Sequence, residues 1–154
     1  MNFRSTRGQS PDVGFSAALL QGLAPDGGLY VPGSWPDLSA VTPGALPVVG
    51  ASLIGAFAAG DALGPQIPAI TRDAFDFPAP VRVLPAAEPL RVLELFHGPT
   101  AAFKDFGARF LAASMARIPR TDKRPLRILV ATSGDTGGAV AAAFHRRPGI
   151  EVVV

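Results

Sequence analysis

Cysteine is absent from the 154 residues. Disulfides, thiolate catalysis and cysteine-ligated zinc are excluded with it. Histidine is scarce: His97 and His145 lie far apart and offer no metal-ligand spacing, so no metal is expected. Net charge is also small, at +2. The arginines are scattered, and no basic stripe with interleaved aromatics forms, so a nucleic-acid partner is not expected. Lysine is the scarcest cation. Only Lys104 and Lys123 occur, against twelve arginines.

Unbroken apolar runs are missing too. "VGFSAALLQGLA" after Arg4 and Arg7 loosely mimics a signal peptide, but Pro11 and Asp12 interrupt its approach and "PDGGLY" follows it. Residues 38–60 are uncharged and long enough for a membrane span. They carry Pro43, Pro47 and four glycines, which predicts a loop running into a buried helix rather than a span. A cytoplasmic protein fits these features.

What is present is ample apolar matter. AVILMFWYC residues make up 48% of the chain, enough for a core. Thirteen of the sixteen prolines fall in the first hundred residues, which predicts a loop-rich front part. There, residues 15–32 read as a short helix, a turn at Asp26-Gly27-Gly28 and an extended piece. Leu19, Leu20 and Leu23 are placed on one helical face. Residues 52–63 read as a second helix, and 74–85 as an apolar start followed by a short strand. Tyr30 and Trp35 are read as packing residues.

After about residue 90 the pattern changes. "RVLELF" (91–96) reads as a strand, and 100–118 as a helix with Phe103, Phe106, Phe110 and Leu111 near one face. "RILVAT" (127–132), "SGDTGG" (133–138), "AVAAAFHRR" (139–147) and "PGIEVVV" (148–154) read as strand, turn, helix and strand. That is the βαβ unit of a parallel sheet. One such unit cannot cover both sheet faces, so the chain is expected to be the front part of something longer.

Two stretches carry chemistry. In "LELFHGPTAAFKDFGARF", Lys104 falls near the start of a helix, a poor place for a cation. Apolar neighbours favour a neutral amine, the form that attacks a carbonyl, although Asp105 would oppose this if its carboxylate approached. An ordinary lysine with an apolar stem and a solvated head is the plainer reading of the periodicity. In "ATSGDTGGA", a strand enters a helix through a glycine-rich turn. This permits a carboxylate or phosphate cradle at the helix start, with the Ser133 and Thr136 hydroxyls as further donors. The spacing matches neither the dinucleotide fingerprint nor the nucleoside-triphosphate phosphate loop. A plain capped turn is equally compatible. His97 reads as a turn residue near the lysine loop, and His145 as a helix-end residue without a catalytic role.

Together, "HGPTAAFKDFG" and the later "ATSGDTG" resemble threonine synthase. The likeness extends to "STRGQSPDVGFSAALLQGLAPDGGLYVP", "FDFPAPV" and "LELFHGPT". The resemblance implies an α/β fold: an incomplete parallel-sheet lobe of a fold type II pyridoxal-phosphate enzyme, preceded by a helical and loop-rich region. It divides the chain into a threonine synthase-like N-terminal region, 1–90, and the truncated start of a cofactor-binding α/β domain, 91–154. It implies that Lys104 is the catalytic residue and carries the cofactor, pyridoxal 5'-phosphate. Asp135 would lie beside the cofactor. Ser133, Gly134, Asp135, Thr136 and Gly137 would hold the substrate's α-carboxylate. The implied reaction converts O-phospho-L-homoserine and water into L-threonine and phosphate. Arginine cannot replace such a lysine, because a guanidinium stays protonated. The cofactor-phosphate loop of the family is expected beyond residue 154, so the isolated chain is expected to be an inactive N-terminal fragment. Two alternatives stay open: another pyridoxal-phosphate lyase or dehydratase of the same fold, and a non-catalytic anion-binding or interaction fragment. The sequence indicates no oligomeric state.

Overall fold

The computed structural model describes residues 1–85, 89–120 and 124–154. Lys123 lies outside the described residues. The chain divides into two compact units: Met1–Arg72 with Arg117–Arg120, and Asp73–Ala116 with Thr121–Val154.

In the first unit, β1 (Phe3–Ser5) pairs antiparallel with β2 (Tyr30–Pro32), placing Phe3 opposite Pro32 and Ser5 opposite Tyr30. Helix α1 (Phe15–Gln21) packs Phe15 on Phe3, with ring centroids 5.7 Å apart. No residue adjacent to α1 caps it; Asp61 does so from a distant segment. Its carboxylate accepts the Ser16 N–H at 3.0 Å, the Ser16 hydroxyl and the Leu63 N–H at 3.0 Å. Burial pushes the Asp61 carboxyl up, but these hydrogen bonds prevail and hold it below its usual range. α1 ends at Gly22, whose φ of 69° suits glycine. Leu20 and Leu23 are exposed, because the helix stops at Gln21 before a full apolar face develops.

The Asp26 turn is tied to β1. The Ser5 hydroxyl donates to Asp26 at 2.7 Å, and the N–H groups of Gly28 and Gln9 donate at 2.9 Å each. The Ser5 hydroxyl chiefly, then these amides, lower the Asp26 carboxyl to about 2. Helix α2 spans Leu46–Phe57, with Pro47 in its first turn where a missing N–H costs nothing. It starts earlier than predicted and is not the buried helix expected: Gly50 is its one buried residue. Lack of charge did not mean burial here. No helix of the described residues is long and apolar enough to cross a membrane. Trp35 meets Phe57 edge-on at 5.9 Å yet is 82% exposed, so it is a surface residue rather than a packing one.

Helix α3 (Ile67–Ala74) follows a 3-10 turn and buries Ile67, Ile70, Thr71 and Ala74 on one face. The second unit begins in its last turn, at Asp73. There β3 (Val81–Val83) and β4 (Arg91–Leu93) form an antiparallel hairpin exposed on both faces. Helix α4 runs from Lys104 to Met115. Phe75 and Phe77 pack on Phe106, at 6.1 and 4.9 Å, and Phe75 stacks on Phe110 at 6.3 Å. Arg109 donates to the backbone carbonyls of Asp73 and Ala74 and to the Asp76 carboxylate, fastening α4 to the end of α3.

The predicted βαβ unit is present. Strand β5 (Leu126–Leu129) lies parallel to β6 (Ile150–Val153), with Leu126 opposite Ile150 and Leu129 opposite Val153. The connecting helix α5 spans Asp135–Phe144, so the glycine-rich stretch forms its first turn instead of preceding it. Ala108, Ala112 and Met115 of α4 meet Ala139, Ala143 and Phe144 of α5 in the core. The alanines let the two helices approach closely, and Phe144 fills the space between them and the strands.

Candidate active site

Lys104 is the first residue of α4, and Asp135 is the first of α5. Close packing of the two helices brings both to one cleft of about 330 Å³. Lys104, Thr132, Ser133, Gly134, Asp135 and Thr136 line it. The Lys104 Nζ lies 3.8 Å from Asp135 Oδ2 and 4.3 Å from the Phe103 ring centroid. Its side chain is about one-third exposed, which leaves the amine accessible. Beside the cleft, Phe103, Phe106, Leu111 and Val140 line an apolar groove that also reaches Lys104 and Thr136.

Asp105 behaves differently from its neighbour. Its carboxylate is fully buried and accepts both the N–H and the hydroxyl of Thr100, at 2.9 and 2.8 Å. The carboxylate that meets the lysine is therefore that of Asp135. Gly98 lies against Asp105 so closely that an added Cβ would overlap it. Ala101, between Thr100 and the helix, sits at φ 56°. This left-handed conformation costs an alanine about 1–2 kcal/mol. Residues 98–103 are thus a shaped loop, and for that reason α4 starts at Lys104 and not near Thr100.

The loop of α5 is organised by Thr132. Its hydroxyl oxygen accepts the N–H groups of Gly134 and Gly137, at 3.2 and 3.1 Å, taking the part of a helix cap. Ser133, Gly134, Asp135 and Thr136 are exposed at the cleft, whereas Gly137 is buried. Of the five loop residues picked from sequence, four line the cleft and Gly137 lies behind them. Asp105 and Thr132 were missed. A Thr two residues before a helix-opening glycine is a local signal that could have identified Thr132. The role of Asp105 had no comparable signal.

His97 bonds Glu94 through Nε2 at 2.7 Å, and its ring lies tilted against Phe96 with centroids 4.6 Å apart. His145 follows the last turn of α5. Among the described residues no three His, Asp or Glu side chains gather as a metal site would require.

The residues present suit a pyridoxal-type group. A primary amine stands at the cleft, an apolar wall flanks it, and the exposed hydroxyl residues Ser133 and Thr136 line it.

Residues 2–47 match a family model described as threonine synthase N terminus. The whole chain is 42% identical over 157 residues to threonine synthase of Haemophilus influenzae, covering 36% of that protein. The Escherichia coli threonine synthase is 38% identical, again with 36% of its length covered. Among solved structures, a PLP-bound threonine synthase from Brucella melitensis superposes with a TM-score of 0.87 at 36% identity. That match covers 99% of this chain and 34% of the other. The chain thus spans about a third of the length of the relatives it matches. Over its full extent, in sequence and in fold, it corresponds to the N-terminal third of threonine synthases.

Proposed function

We propose that this chain supplies the lysine and the carboxylate-binding loop of a pyridoxal-phosphate site that converts O-phospho-L-homoserine and water into L-threonine and phosphate. The observation that carries this reading is the Lys104 amine, 3.8 Å from Asp135, in a cleft walled by the Thr132–Thr136 loop. When bound there, the cofactor would supply an electron sink for carbanions on the substrate carbons. Lys104 would hold the cofactor and then, as a free amine, move protons among those carbons. The exposed hydroxyls of Ser133 and Thr136, with the unshared amides of the loop, would receive the substrate carboxylate. Asp135 would orient the amine. In the net reaction the bond from the γ-carbon to the phosphate oxygen breaks, one proton leaves the β-carbon and one is added at the γ-carbon, and water gives its hydroxyl to the β-carbon and its remaining proton to the released phosphate. The chain spans 36% of its relatives, so it would contribute part of this site, and turnover by the isolated chain is not expected.

The test is the visible spectrum of the chain with pyridoxal phosphate, followed by borohydride reduction and peptide mapping. Labelling of Lys104 in preference to Lys123, abolished in Lys104→Arg, is expected. Equal labelling of both lysines would refute a selective site in this chain.

A further inference from the structure

We infer that Asp105 is a positioning residue: its buried carboxylate, clasped to Thr100, fixes the loop that presents the Lys104 amine and so sets how that amine meets an aldehyde. This rests on the reading of Lys104 as the aldehyde-binding lysine.

Four observations converge. Asp105 is fully buried, and both its oxygens are engaged by one residue five positions upstream. A buried carboxylate left without donors is costly, so this pairing is expected to persist. Gly98 lies against the carboxylate with no room for a side chain there, so the buried pair is closely packed on that side. Ala101 holds a left-handed conformation one residue after Thr100, and such a conformation persists only where its surroundings impose it. Asp105 also donates its N–H to the Ala102 carbonyl at 3.0 Å, which closes the loop onto the first turn of α4. Lys104 lies between the clasped Thr100 and the buried Asp105. Its backbone therefore has little freedom, and its side chain leaves toward Asp135.

The test uses the 154-residue chain and Thr100→Val, Thr100→Ser and Asp105→Asn. Two readouts are taken without cofactor: hydrogen exchange across residues 98–105, and reductive methylation with formaldehyde, scored at Lys104 relative to Lys123. The same ratio in denaturant gives the unrestrained reference. Thr100→Val and Asp105→Asn are expected to speed exchange by about tenfold, the scale of one lost hydrogen bond to a charged group. Both should move the labelling ratio to the denatured reference, while Thr100→Ser keeps the native ratio. Thr100→Val decides the matter if Asp105→Asn does not fold. Unchanged exchange in Thr100→Val would overturn the clasp. A loosened loop with an unchanged labelling ratio would overturn the positioning role, as would a native ratio equal to the denatured one. Failure of the functional reading is separate: it would show as no preference of pyridoxal phosphate for Lys104 while the formaldehyde results stand.

Discussion

Replacing Gly98 by alanine tests the loop before the lysine from its other side. The added Cβ would sit 2.8 Å from the Asp105 Cβ and 2.9 Å from its Cγ, with Oδ2 nearer still. Real carbon contacts lie at about 3.5–4.0 Å, so something must shift by most of an ångström. Two routes are open. The backbone can give way, at the cost of overpacking, about 1–3 kcal/mol. Alternatively Asp105 can turn aside and lose its bonds to Thr100, at about 1.5–3 kcal/mol for one bond to a charged group. The cheaper route governs, so the two are not summed. Alanine also restricts the unfolded chain, which offsets about 0.4–1 kcal/mol. The net expectation is a destabilisation of about 1–2 kcal/mol, read as a lower urea midpoint by circular dichroism and faster exchange in residues 104–115. Combined with Thr100→Val, the loss should be less than additive, because Asp105 is then already released. A Gly98→Ala variant as stable as the native chain, or additive with Thr100→Val, would refute the packing argument.

Two further outcomes follow from the capping groups. Asp26 is lowered from 3.8 to about 2, so its stabilisation is complete above about pH 4 and disappears as pH falls through 2. Exchange protection across residues 1–33 should fall in that window, and Asp26→Asn should flatten the dependence; an identical acid profile in the variant would count against it. Thr132→Val leaves the Gly134 and Gly137 amides without their acceptor, at a cost of about 1 kcal/mol. Exchange in the first turn of α5 should quicken with the rest of the helix unchanged, and equal protection in both chains would show that Thr132 does not cap it.

The features legible in the sequence were those set by neighbours along the chain. "RILVAT", "AVAAAFHRR" and "PGIEVVV" declared the strand, helix and strand, and the parallel pair β5–β6 is there, although β5 ends at Leu129 and α5 runs from Asp135 to Phe144. Lys104 was conspicuous because the chain otherwise uses arginine. Contacts between distant residues stayed hidden. Nothing local announces that Asp61 caps a helix beginning at Phe15, or that Phe3–Ser5 is a strand until Tyr30–Pro32 pairs with it. Helix α3 was not anticipated; it is short and carries Pro68, which lies in the first turn where proline is tolerated. The expected helix over 100–118 was too long at its start because Thr100 bonds to Asp105 instead of continuing the helix.

The placement of Lys104 and Asp135 has an electrostatic consequence. Each is the opening residue of a helix, and their side chains meet, so the amino-terminal ends of two macrodipoles face one cleft. Each end carries roughly half an elementary positive charge from unpaired amides. Part of that is already met by the Thr132 hydroxyl and the Asp135 charge at α5 and by the Ala102 and Phe103 carbonyls at α4. The remainder is built from backbone, does not titrate, and cannot be spent in a reaction. It therefore offsets the charge of the Asp135 carboxylate in the cleft whether the lysine amine is charged, neutral or covalently engaged.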